Sequence, residues 1–182
     1  MTAMKPHAGE PTKLPEEAIR DYLAWHKSGI GRLISGQFEI RTLEQAEKLS
    51  TMLANNCPVP EKVSTGIWEL ISNAVEHGNL EIDFDEKMKL VLNGGLAGEI
   101  ARRLEMPPFA DRSALVEFKR TKTTIRIRVR DEGPGFDYAK YLNPDFSPGG
   151  PNGRGIMIAT KFSFDKLTYR GRGNIVDAII RL

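Results

Sequence analysis

The chain has one cysteine in 182 residues, so no internal disulfide can form. That usage fits a reducing compartment. No apolar run comes near the roughly 20 residues that a membrane-spanning helix needs. Residues 1–13 are polar, which is not the pattern of a secretory signal, and a cytoplasmic location is the expectation. An excess of one charge is also missing: 26 basic residues stand against 24 acidic ones, a net charge of +2. A dedicated nucleic-acid binder carries a clear basic surplus, so no direct nucleic-acid contact is expected. The run G-x-x-x-x-G-K-[ST] occurs nowhere, which excludes a P-loop enzyme. There is no internal repeat. The length suits one domain with a modest extension, large enough to bury roughly two-thirds of its unfolded surface.

Local patterns divide the chain. Residues 1–13 read as a tail, and residues 14–26 as a helix with Pro15, Glu16 and Glu17 in its first turn. A glycine-containing loop over 28–36 leads to a short strand at 37–41. Thr42 and Gln45 match a capping box that opens a helix to Asn55, and Pro58 and Pro60 break it. A second helix is predicted over 61–77, ended by Gly78, with Val63, Ile67, Leu70, Ile71 and Ala74 at helical spacing. Glu69 and Asn73 fall at the edge of that stripe. Two short helices follow at 85–92 and 96–104. Strands are expected at 113–119 and 124–130. In the second, Ile125, Ile127 and Val129 alternate with Arg126, Arg128 and Arg130, giving one apolar and one wet face. A Pro- and Gly-rich mobile loop over 138–152, a helix over 155–162 and a hairpin of 164–169 with 175–182 complete the chain. Helices first and antiparallel strands later predict an α+β fold, a two-layer α/β sandwich with helices on one face of a mostly antiparallel sheet.

Three runs carry chemistry. The first, E-L-I-S-N-A-V-E-H-G from Glu69 to Gly78, places a carboxylate, an amide and an imidazole at four-residue intervals. On a helix such residues stack nearly one above another. An amide oxygen suits Mg²⁺, and a carboxylate one turn away suits a general base. Alone, the run is more often an ordinary solvated helix face. The second, D-E-G-P-G from Asp131 to Gly135, sets an acid before two glycines. A carboxylate there accepts the exocyclic amine of adenine, while glycines let backbone approach a flat base. Alone, it is a plain turn. The third, Gly153-Arg154-Gly155, feeds a helix whose free N–H groups suit phosphate oxygens. Alone, it is a hinge.

The order and spacing of the three runs resemble the ATP-binding domain of the histidine-kinase-like (GHKL) superfamily, with its Bergerat-type fold. The resemblance covers about residues 37–182, and residues 1–36 are then a tail with a helix or linker. The runs correspond to the N box, the glycine box and the end of the ATP lid. The form E-x-x-x-N-A-x-x-H is closest to the bacterial anti-sigma-factor serine/threonine kinases. The resemblance implies ATP and Mg²⁺ as cofactors, Asn73 as the metal ligand, Glu69 as catalytic base and Asp131 as the adenine reader. It places His77, the last N-box position, with the nucleotide site, and Gly133, Gly135, Gly153 and Gly155 along it. Arg154 is either a phosphate contact or a solvated lid residue.

By the same resemblance the partner is a STAS-type anti-anti-sigma protein, with a sigma factor as a second ligand, no membrane, and a homodimer left open. Two other functions stay in view: a nucleotide-binding module that sequesters a partner without chemistry, and a histidine-kinase-type ATPase domain. Of His7, His26 and His77, none has the sequence context of a phosphoacceptor. One departure stands out: residues 80–112 form a helical insert longer than the usual link, expected to reshape a partner surface.

Overall fold

The computed structural model describes residues 31–139 and 154–182. The expected tail, the helix at 14–26, nearly all of the 138–152 loop, and Gly153 lie outside the described residues. The chain divides between Arg32 and Leu33, and the elements below belong to the Leu33–Leu182 unit.

Strand β1 (Ser35–Ile40) starts earlier than its apolar residues suggest, because Ser35 already pairs with Lys119. Helix α1 (Leu43–Asn55) opens on the capping box: Gln45 N–H donates to the Thr42 hydroxyl, and the Gln45 side chain accepts from Thr42 N–H. Helix α2 (Pro60–Asn73) has proline in its first turn, where the missing N–H has no helical partner to lose. Two short helices follow, α3 (Phe84–Leu92), capped by Asp83, and α4 (Leu96–Leu104). Strands β2 (Ala114–Arg120) and β3 (Thr124–Arg130) form a hairpin. A five-residue helix α5 (Arg154–Ile158) precedes the closing hairpin of β4 (Lys166–Arg170) and β5 (Ile175–Arg181).

The five described strands form one antiparallel sheet in the order β1-β2-β3-β5-β4. Pairing brings Phe118, Ile127 and Ala178 into one row, and Val116, Val129 and Val176 into the next. All six are buried against Leu53, Val63, Ile67 and Ile71 of α1 and α2. The α+β, two-layer expectation therefore holds, with helices on one face of the sheet. Trp68 packs at the margin of this core, and Cys57 is buried in it.

The other face is less open than alternation implies. Arg128 lies between Glu117 and Asp177, and its guanidinium donates twice to the Asp177 carboxylate at 2.8 and 2.9 Å. Arg170 donates to the same carboxylate at 2.8 Å, and Asp177 is only 5% exposed. Of the three alternating arginines, the middle one is thus held in an ion cluster, because register puts an acid directly across from it.

The insert is pinned to the body. Arg103 of α4 pairs with Glu99 and with Glu86 of α3, and donates to the Leu80 carbonyl at 2.8 Å. Lys87 of α3 reaches back to Glu76 at 2.5 Å. Among the described residues no helix is long and apolar enough to cross a membrane.

Candidate functional site

Helix α2 does not end at Gly78 as its sequence suggests. The α-helical bonding stops at Asn73, and Ala74–Asn79 continues as a π-helical turn in which Leu80 N–H bonds the Val75 carbonyl. A wider turn holds more residues, so His77 no longer completes the Glu69–Asn73 row. Gly78, inside that turn, meets a residue 53 positions on. A Cβ on Gly78 would stand 2.4 Å from Cγ of Asp131. Gly78 is there for close approach rather than as a stop signal.

Asp131 leaves β3 and is fastened on both sides. Its N–H donates to the Asn174 carbonyl and its carbonyl accepts from the Asn174 amide, each at 3.1 Å. Its Oδ1 accepts from Gly133 N–H at 2.9 Å, and among the described residues no side chain donates to Oδ2, which can accept from a ligand. Burial pushes this carboxyl up to about 6, against the pull of the Gly133 N–H. The following turn is packed backbone on backbone. A Cβ on Gly133 would lie 2.1 Å from the Gly78 carbonyl oxygen. Gly135 has φ +81°, and a Cβ there would meet the Arg172 carbonyl at 2.1 Å. Arg172 closes the turn by donating to the Gly133 carbonyl at 2.8 Å. Gly133→Ala is accordingly expected to destabilise the protein by about 3 kcal/mol through overpacking. A thermal melt checks it, and an unchanged Tm contradicts the close approach.

A cavity of about 370 Å³ opens between the π turn and this glycine turn. Asn73, His77, Asp131 and Gly135 line it, together with apolar Leu70, Val129, Ile156 and Val176. Residues 58 apart in sequence thus face one space. Gly133 lies behind the wall, supporting Gly78. His77 donates from Nδ1 to the Ile82 carbonyl at 2.5 Å, so its Nε2 is left for other partners. Burial lowers its pKa and favours the neutral ring.

Glu69 does not line the cavity but stands one helical turn before Asn73 and faces the start of α5. A Cβ on Gly155 would lie 2.0 Å from Glu69 Oε2, so the second glycine of the Gly153–Gly155 run leaves room for this carboxylate. Burial raises the Glu69 pKa; Lys87 opposes that and Glu76 adds to it. Arg154 opens α5, and its side chain lies outside the described set.

Sequence reasoning missed part of the wall. Glu81, Ile82, Asp83 and Phe84 line the cavity, and all four belong to the insert. The available signal was an aromatic residue following Asp83, a helix-capping type, a few positions after the N box. Tyr169 also faces the space and stacks on Tyr138 with ring centroids 5.5 Å apart.

A family model described as the histidine kinase-like ATPase domain matches residues 39–180 of the chain. No curated protein matches the chain.

Proposed function

The chain belongs to the histidine kinase-like ATPase family, and we propose that within it the protein is an ATP-dependent serine/threonine kinase of the anti-sigma-factor type. The observation that carries the reading is the shared cavity. An amide oxygen donor, Asn73, and a buried acid, Asp131, line one space, with the Glu69 carboxylate one helical turn from Asn73. The volume lies within the roughly 300–1,000 Å³ of small-molecule sites.

The residues present suit an adenine nucleotide. Asp131 offers a free acceptor oxygen to the exocyclic amine that adenine has and guanine replaces by a carbonyl. Gly135 would put backbone, rather than a side chain, beside the base. Asn73 would hold Mg²⁺ through its amide oxygen, a hard ligand of the kind this ion accepts while keeping waters and phosphate oxygens. When bound, the ion neutralises charge that develops on the phosphates. Glu69 would take the proton of a partner's Ser or Thr hydroxyl. A carboxylate whose pKa is lifted by burial is a better base near neutral pH than an ordinary one.

The partner we assign is a STAS-type anti-anti-sigma protein, with a sigma factor as the alternate ligand, so that phosphorylation switches partners. Incubation with radiolabelled ATP, Mg²⁺ and a STAS-domain protein tests this. Label on a Ser or Thr of that protein is expected. Absence of transfer to any STAS protein, with ATP binding intact, refutes the kinase assignment.

A further inference from the structure

The insert does more than decorate the domain. Its first residues run directly from the π turn into the cavity wall, where Ile82 is fully buried and Asp83 caps α3 by accepting from Glu86 N–H at 2.8 Å. Phe84, the first residue of α3, is half-buried, and its ring centroid stands 4.2 Å from that of His77 at 42°. Both rings line the cavity. Asp131 lines the same cavity and packs against Gly78, the residue that follows His77 in the chain.

The framework behind Phe84 is fixed. Lys87, one turn further along α3, is tied to the buried Glu76 of the π turn, and Glu86 is tied to Arg103. Arg103 in turn holds the Leu80 carbonyl. These ties hold the start of α3 before a ligand arrives, which limits the ordering entropy lost on binding.

We infer that Phe84 is a base-contacting residue that adds to nucleotide affinity: with His77 it forms an aromatic wall for the flat base whose amine Asp131 reads. The inference rests on the reading of Asp131 as the acid that faces the base. Stacking of a base on an aromatic side chain contributes on the order of a tenfold or larger gain in affinity. A nucleotide site extended in this way draws part of its affinity from the insert rather than from the two glycine-bearing runs.

Calorimetric titration of the full chain with ATP and Mg²⁺, alongside the melting temperature without nucleotide, tests the inference in Phe84→Ala, Phe84→Leu and Phe84→Tyr. Phe84→Leu keeps apolar volume and loses the ring; Phe84→Tyr keeps the ring. The expected result is an ATP affinity lower by about tenfold or more in Phe84→Ala and Phe84→Leu, and near wild type in Phe84→Tyr. Phe84→Leu is also expected to melt within a few degrees of wild type. Wild-type affinity in Phe84→Leu overturns the inference. So does a loss of affinity that tracks the loss of melting temperature across all three variants, since that marks packing alone. Wild-type protein that binds ATP no better than GTP instead overturns the reading of Asp131, and the two failures are thereby separated.

Discussion

Asp131→Asn is expected to weaken ATP binding by about a hundredfold or more while making the empty protein more stable. The first effect follows from hydrogen-bond direction. Oδ1 of Asp131 is already occupied by Gly133 N–H. An asparagine must keep its carbonyl oxygen on that donor, so its NH₂ group turns toward the ligand. Two donors then face each other where the carboxylate and the adenine amine had met. Sites built around one such bond reject the wrong group by large factors. A base with a carbonyl at the same position, as in hypoxanthine, presents an acceptor instead, so the variant should lose ATP far more than ITP.

The second effect follows from burial. The Asp131 carboxyl stands at about 6 in the folded chain, against an ordinary 3.8. The folded state therefore holds the proton more tightly than the unfolded one. Ionisation then disfavours the fold: the penalty is absent below about pH 4, grows up to about pH 6 and stays constant above it. That difference corresponds to about 3 kcal/mol as an upper bound. Asparagine removes the ionisation. Above pH 6 the variant should melt several degrees higher, and near pH 4 the difference should vanish. Melting curves at pH 4 and pH 7.5 with parallel ATP and ITP titrations measure both effects. A variant that keeps ATP affinity would remove Asp131 from base recognition.

Glu69→Gln is expected to slow phosphoryl transfer by a factor of about 10² to 10⁴ while changing ATP affinity by less than about threefold. Glutamine preserves shape beside Gly155 but cannot take a proton. The carboxylate lies outside the cavity wall, which is why binding should survive. In the wild type the rate should fall with decreasing pH as Glu69, whose pKa burial has raised, becomes protonated. The residual rate of Glu69→Gln should lack that limb. Single-turnover rates between pH 5 and pH 8 decide the matter. A variant that transfers phosphate within about threefold of wild type would make Glu69 a structural residue.

The parts of this site that were legible in the sequence are those set by short-range rules. The four-residue spacing of Glu69 and Asn73 and the apolar stripe beside them needed only helical periodicity, and α2 shows both. The capping box at Thr42 and Gln45 is likewise local. What could not be read depends on contacts distant in the chain. Gly78 has the residue type and position of a helix terminator, yet it lies inside a π turn with Asp131 filling the space over its Cα. Arg128 has the alternation of a wet strand face, yet Asp177 neutralises it through sheet register. The insert looked like a partner surface because two helices interrupted by glycines carry no sign of what they pack on. Phe84 enters the cavity wall where Lys87 ties α3 to Glu76 of the π turn, a contact 11 residues apart that periodicity does not show.

The most direct measurement is a calorimetric titration of the wild-type chain with ATP and, separately, GTP in the presence of Mg²⁺. Convergence of Asn73 and Asp131 on one adenine-nucleotide site predicts one ATP bound per chain and GTP weaker by about a hundredfold or more. Equal affinity for the two, or no heat with either, would contradict it.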